Sequence, residues 1–282
     1  MRTAYSTGAH PAAGGTERSM SSESDRPKRD REILQEQMDA SLHEYERDNR
    51  SLLLSSIAAG LEIGFSFFLM ASLYTHFHNL VGDDLLHFII SLSYPIGFVM
   101  VIIGRADLFT EHTTLAILPV LDRKQRWGDL GRIWSVIYCG NILGALVFSL
   151  IFVRFVALSQ HIDGAAFDYY SDKMTADSNA GLLLGAIFAG WLMGLLGWVV
   201  TSSTDTIGRI VVITVITFVI GLGGLAHCIA GAVAIFSAWF GTDNGVGPMD
   251  VLRFLSLATV GNAVGGSVFV GLLKYGYIAN RR

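Results

Sequence analysis

Gly140-Asn141-Ile142-Leu143-Gly144-Ala145-Leu146-Val147-Phe148 returns later in the chain as Gly261-Asn262-Ala263-Val264-Gly265-Gly266-Ser267-Val268-Phe269. The two stretches share Gly-Asn-x-x-Gly and Val-Phe in register, and each lies inside an apolar run of bilayer-spanning length. A fainter echo links Ala59-Gly60-x-x-x-Gly64 to Ala189-Gly190-x-x-x-Gly194, although small residues four apart recur wherever membrane helices pack. The sequence therefore reads as two related halves.

Six apolar segments carry the repeat: Ser51 to Tyr74, Asp84 to Gly104, Asp129 to Leu158, Asn179 to Val200, Arg209 to Phe240 and Val251 to Tyr277. The second breaks at Gly104-Arg105-Ala106-Asp107-Leu108-Phe109-Thr110 and resumes from Glu111 to Val120, too short at ~1.5 Å per residue to cross a bilayer alone. The fifth breaks at Gly221-Leu222-Gly223-Gly224 and resumes from His227 to Phe240, about half a membrane thickness. The expected fold is an all-α membrane protein of six transmembrane helices, a 3+3 inverted repeat with broken second and fifth helices. Three spans per half force the halves to insert in opposite orientations.

Composition agrees. Of 282 residues 51% are hydrophobic and 16% charged, a balance foreign to soluble domains, and the net charge of −4 gives no sign of nucleic-acid binding. Residues 1 to about 30 read as a disordered tail without an apolar signal region. From Arg31 to Arg50, Ile33, Leu34, Met38, Leu42 and Tyr45 recur at helical spacing among charges, an amphipathic helix that either lies on the bilayer or packs under the spans. Cys139 and Cys228 both fall in spans, so neither a disulfide framework nor a metal cluster is expected, and no cofactor motif is present.

Basic residues mark one side. Arg123, Lys124, Arg126 and Arg132, then Arg209, then Arg281 and Arg282 alternate with loops holding Asp83 and Asp84, then Asp163, Asp168, Asp172 and Asp177 with the single Lys173, then Asp243 and Asp250. The positive-inside rule puts both termini, including a cytoplasmic end at 279–282, in the cytoplasm of a plasma (inner) membrane.

Paired broken helices in an inverted repeat mark the solute site of many transport proteins, because irregular backbone at membrane depth must line a cavity or be buried in protein. Free N–H groups at the half-helix starts would face that cavity and favour an anion. His227 opens the second half-helix; a lone core histidine is usually structural, but an intramembrane one at a glycine-rich break suggests a path residue able to exchange a proton with a weak acid. Thr110 and Phe109 sit in the first break, where a hydroxyl can bond a passing solute and an aromatic can narrow a pore. Phe98 and Ile220, in the spans that carry the breaks, complete the expected path. Glu62, Arg105, Asp107 and Glu111 are charges placed to modulate it. Asp107 and Glu111 could instead cap the first half-helix, with Arg105 neutralising one of them or pairing with Glu62. Asn141 and Asn262, with Gly104, Gly223 and Gly224, are expected to brace the breaks rather than touch solute.

These residues resemble the formate/nitrite transporter family of pentameric, aquaporin-like anion channels. The resemblance runs from Ser51 to Tyr277 and rests on Gly104-Arg105-Ala106-Asp107-Leu108-Phe109-Thr110, on Ala226-His227-Cys228-Ile229-Ala230 and on the two Gly-Asn-x-x-Gly stretches. It implies that Thr110 and His227 face each other between two constrictions, Phe109 being one constriction residue. It also implies passage of small monovalent anions or their acids and a homo-pentamer with one pore per protomer. The chain departs from the family pattern at Ala226, where a Glu is usual, and at Gly231, where an Asn is usual. Arg105 and Glu111-His112 replace small or neutral residues, so the resemblance is to a divergent branch.

Other functions fit less well. A neutral-solute pore of aquaporin type should show two Asn-Pro-Ala signatures, and none of Pro11, Pro27, Pro95, Pro119 and Pro248 follows an Asn. A membrane serine protease should show Gly-x-Ser-Gly, which is absent, so no enzyme is expected. A non-conducting scaffold plugged by Arg105 remains a further alternative.

Overall fold

The computed structural model describes residues 26–159, 161–243 and 245–279. The expected tail therefore lies outside the described residues up to position 25, as does the C-terminal stretch 280–282. All regular structure among the described residues is helical. Five helical stretches are long and apolar enough to cross a membrane: Asn49–Phe77, Asp83–Gly104, Trp127–Ser159, Asn179–Ser202 and Pro248–Ala279. The fifth expected span does not reach that length as one helix, because it is divided into Thr206–Leu222 and Cys228–Gly241.

Helix α1 (Asp30–Glu46) precedes the spans. It stops short of the expected Arg50 because Asp48 turns the chain and accepts a 2.6 Å bond from Ser51 N, capping the next helix. The amphipathic face of α1 is packed against protein: Ile33 meets Trp198 and Ile278, and the Tyr45 hydroxyl donates to Ala116 O at 2.6 Å. Span one is α2 (Asn49–Glu62) and α3 (Gly64–Phe77); span two is α4 (Asp83–Ser91) and α5 (Pro95–Gly104). Pro95 explains the interruption of span two, since it cannot donate to the helix ladder.

After the first break come α6 (Phe109–Leu115) and α7 (Leu118–Leu121), then the long span α8 (Trp127–Ser159). The acidic loop expected next contains a further helix, α9 (Ala165–Ala176), which covers the end of the bundle opposite α1. The second half is α10 (Asn179–Ser202), α11 (Thr206–Leu222), α12 (Cys228–Gly241) and α13 (Pro248–Gly266). It closes with a π-helical stretch Ser267–Leu272 and α14 (Leu273–Ala279).

The halves repeat contact for contact. A Cβ at Gly60 of α2 would strike Asn141 O of α8, and one at Gly190 of α10 would strike Asn262 O of α13. The shared glycines thus exist because two helix pairs, α2 with α8 and α10 with α13, press backbone to backbone. Span one starts at the α1 end, where Arg132 Nη1 donates to Asn49 Oδ1 at 2.7 Å. Span four starts at the α9 end, where Asp177 and Gly181 line a cavity with Lys173. The repeat is therefore inverted.

Candidate functional site

Each break is held by one asparagine making the same three bonds. Asn141 Nδ2 donates to Ser56 O at 2.7 Å and Asp107 O at 2.8 Å, while its Oδ1 accepts from Phe109 N at 2.8 Å. Asn262 Nδ2 donates to Ala186 O at 2.7 Å and Ala226 O at 2.8 Å, while its Oδ1 accepts from Cys228 N at 2.8 Å. Both asparagines are fully buried and lie away from both cavities described below. The backbone turns at matching points through left-handed residues, Arg105 with φ 59° and Gly224 with φ 60°. Gly104 ends α5, where an added Cβ would come within 3.9 Å of Glu62 Oε2, and Gly223 caps the end of α11.

Between the breaks, Thr110 Oγ1 and His227 Nε2 lie 2.8 Å apart, both residues shielded from solvent. His227 caps its own helix, its Nδ1 accepting from Ile229 N at 3.3 Å and Ala230 N at 3.1 Å. Those bonds fix the neutral tautomer: Nδ1 holds the lone pair, so Nε2 carries the hydrogen and donates to Thr110 Oγ1. The Thr110 hydroxyl hydrogen is left for another acceptor. Phe98 stands edge-on to the imidazole with centroids 5.0 Å apart.

Two cavities lie toward this pair from opposite ends; neither is lined by Thr110 or Phe98, and only the one at the α9 end reaches His227. The one at the α9 end, about 570 Å³, reaches His227 past Ile220 and Tyr94, with Lys173 and His87 at its mouth. Lys173 Nζ donates to His87 Nδ1 at 3.0 Å, and His87 Nε2 donates to Leu222 O at 2.9 Å. Partial desolvation holds the Lys173 ammonium below the usual lysine range. The cavity at the α1 end, about 510 Å³, is lined by Arg105, Asp107, Glu111, His112 and Arg209, with Glu36 and Glu44 from α1.

Several expectations are corrected. Four of the half-helix N–H groups do not stand free: Asn141, Asn262 and His227 accept those of Phe109, Cys228, Ile229 and Ala230. Neither Asp107 nor Glu111 caps α6 with its side chain. Arg105 does not neutralise Asp107; Arg47 does, with Nη1 2.9 Å from Asp107 Oδ2. Arg105 is exposed at the α1-end cavity, where its left-handed backbone turns it outward. Glu62 Oε2 is buried without a hydrogen-bond partner among the described residues, so Arg105 does not serve it. Phe109 packs edge-to-face on Tyr138 and Trp134 of α8 and lines neither cavity, because Asn141 pulls its backbone toward that helix. Arg47, Glu44, Lys173 and His87 carry no signal in the sequence beyond polar or charged residues flanking the spans.

Comparison with known proteins agrees with this frame. The sequence model described as Formate/nitrite transporter matches residues 31–276. The chain belongs to the formate/nitrite transporter family. It is similar to the inner membrane protein YfdC of Escherichia coli (strain K12), 32% identical over 240 residues that cover 84% of this chain and 75% of that protein. Among solved structures, an FNT family ion channel superposes with a TM-score of 0.78 at 21% identity, covering 89% of this chain and 99% of that one. A pentameric formate channel with formate bound superposes with a TM-score of 0.68 at 22% identity, covering 82% and 98%. These likenesses establish the formate/nitrite transporter fold, which is aquaporin-like and all-helical, for a family of transporters and channels.

Proposed function

We propose that this protein is a transmembrane pore for a small monovalent anion or its conjugate acid, of the formate, nitrite and short monocarboxylate class. The observation that carries the reading is the Thr110–His227 hydrogen bond, set between two cavities that open at opposite ends of the molecule. An anion reaching this point from the α9 end meets Lys173 first and then two convergent donors, the His227 N–H and the Thr110 hydroxyl. In its capped state the ring offers the solute a proton donor and no lone pair, since Nδ1 is engaged by its own helix. Ile220, which lines the α9-end cavity, and Phe98, edge-on to the imidazole, supply apolar surface beside that donor pair. Passage then requires this surface and the Thr110–His227 bond to part briefly.

The wider context supports the same reading. The family's description names formate and nitrite, and one matched structure is a pentameric formate channel. We assign this chain a homo-pentamer with one path per protomer in an inner membrane. An even count of six spans, with the basic residues gathered in loops on one side, supports a reading in which both termini, and α1, are cytoplasmic. Transport rather than catalysis is its role.

Flux into proteoliposomes tests this: formate, nitrite, acetate, lactate and hydrosulfide at two pH values, with wild type and His227→Asn. Asn keeps the helix cap and is too short to reach Thr110, so assembly should survive while anion flux and its pH profile change. No flux for any anion in the wild type sinks the proposal in favour of a non-conducting scaffold. Fast water or glycerol passage without anion flux would instead revive the neutral-solute pore.

A further inference from the structure

The cavity at the α1 end holds a group of side chains to which the Thr110–His227 pair assigns no role. His112, on α6, places Nδ1 3.0 Å from Leu108 O one turn back. Nδ1 therefore donates, and the lone pair of the neutral ring sits on Nε2. That Nε2 has no hydrogen-bond partner among the described residues, in a side chain only 6% exposed. It points at Asp107 Oδ1, 3.6 Å away, and Asp107 is itself 5% exposed. Glu44 reaches the same point from α1, and one ligand atom from each of Glu44, Asp107 and His112 lies within 4.8 Å of the others.

A buried imidazole that gives its N–H to a backbone carbonyl and turns its lone pair toward two carboxylates has the arrangement of a metal-binding histidine. One nitrogen and two carboxylates suit a divalent first-row cation, zinc above all; calcium and magnesium prefer all-oxygen sites. Ligand atoms at ~2.0–2.2 Å from a tetrahedral ion stand ~3.4 Å from one another. The His112–Asp107 pair, at 3.6 Å, already has that spacing. Glu44, carried by α1, has to close by roughly 1 Å.

Arg47 supplies the positive charge in the structure, with Nη1 2.5 Å from Glu44 Oε2 and 2.9 Å from Asp107 Oδ2. Its Nη2 is held outside the group by Ser51 O and Oγ, both at 3.3 Å. The guanidinium can thus keep that anchor while the carboxylates turn to another cation. Arg105, Arg209, Glu36 and Glu111 line the same cavity without joining the three.

We propose that Glu44, Asp107 and His112 form a binding site for a divalent transition-metal ion of the zinc class, which takes the place of Arg47 between the carboxylates and fastens α1 to the first break. Solvent completes the coordination. The proposal stands apart from the transport reading, because its test measures binding and not flux.

The test titrates zinc chloride into chelator-treated full-length protein in nanodiscs, by calorimetry with metal content measured alongside, and with size-exclusion elution to confirm assembly. Wild type should take up one zinc per protomer with micromolar affinity or better. Glu44→Gln, on a helix that spans nothing, and His112→Gln should each weaken binding by about tenfold or more. Glu36→Gln, a carboxylate of the same cavity outside the group, should leave it unchanged, and Arg47→Gln should tighten it about tenfold by removing the competing cation. Absence of saturable binding in both wild type and Arg47→Gln overturns the site. So does an affinity that Glu44→Gln leaves untouched, or one that Glu36→Gln lowers as much as His112→Gln.

Discussion

Replacing Asn262 with Ala removes three hydrogen bonds at once and leaves Cys228 N, Ala186 O and Ala226 O to find other partners. The three losses are unequal. Ala186 O belongs to α10 and still accepts from the helix turn ahead of it, so its loss costs little. Ala226 O and Cys228 N flank the second break, where no ladder replaces the lost partner, and each orphaned group costs ~1–3 kcal/mol. Side-chain hydrogen bonds between membrane helices average only ~0.6 kcal/mol, because the unfolded chain in the bilayer also finds partners. The break tips the balance toward the larger figure, since its backbone groups are buried at membrane depth, and the expected loss is ~3 kcal/mol.

Asn141→Ala should cost the same within ~1 kcal/mol, because its three bonds repeat those of Asn262 to the same distances. Asn179→Ala serves as control, for its Oδ1 only meets the exposed Arg253 Nε, and should change stability by less than ~0.5 kcal/mol. Denaturation in mixed detergent micelles, followed by circular dichroism, measures all three. Losses below ~1 kcal/mol for both buried asparagines, or values differing by more than ~2 kcal/mol between them, would refute the claim that one bracing device is used twice.

Other perturbations bear on separate parts of the molecule. Gly190→Ala should destabilise by ~1–3 kcal/mol, since its Cβ would enter the Asn262 backbone, whereas Gly131→Ala on α8, with nothing within 4 Å, should stabilise by up to ~1 kcal/mol; equal effects in the same micelle assay would contradict the close-packing argument. Arg105→Gly should stabilise by ~1 kcal/mol by relieving a left-handed φ of 59°, and a lower unfolding midpoint would show that the arginine side chain outweighs that strain. Lys173 loses its charge as pH rises through a value depressed by desolvation, so anion uptake from the α9 end should decline at a lower pH than an ordinary lysine allows; Lys173→Arg should move that decline to higher pH, and an unmoved alkaline limb counts against a role for this ammonium.

The sequence made the frame legible because backbone approach leaves a residue-type record. Gly60, Gly140, Gly190 and Gly261 lie where no side chain fits, and Asn141 and Asn262 hold breaks that glycines announce. What it hid depends on distant partners or on reach. Arg47 and Asp107 meet only because α1 docks beneath the spans, where Tyr45 is buried and its hydroxyl donates to Ala116 O. The capture of the half-helix N–H groups by His227 was hidden because it depends on a ring folding back onto its own helix. Helix α9 was masked by acidic residues that read as loop, and the π-helical stretch Ser267–Leu272 had no signal beyond the adjacent Gly265 and Gly266.

Aligning the two breaks by their asparagine bonds pairs Phe109 with Cys228, and so Leu108 with His227, Asp107 with Ala226, Glu111 with Ala230 and His112 with Gly231. The frame is symmetric and the chemistry is not. His227 stands where the first half has a buried leucine, and its ring then meets Thr110, whose counterpart is Ile229; one half supplies the hydroxyl and the other the imidazole. The charged residues follow the same logic from the other side. Asp107, Glu111 and His112 occupy the break that faces α1, and their counterparts, in the half that α1 leaves unpaired at that position, are Ala226, Ala230 and Gly231. A buried carboxylate is costly without a counter-charge, and α1 brings one to Asp107 in Arg47. The repeat therefore explains the shared frame of the two breaks, while the Thr110–His227 pair and the polar α1-end cavity arise where the two halves stopped matching.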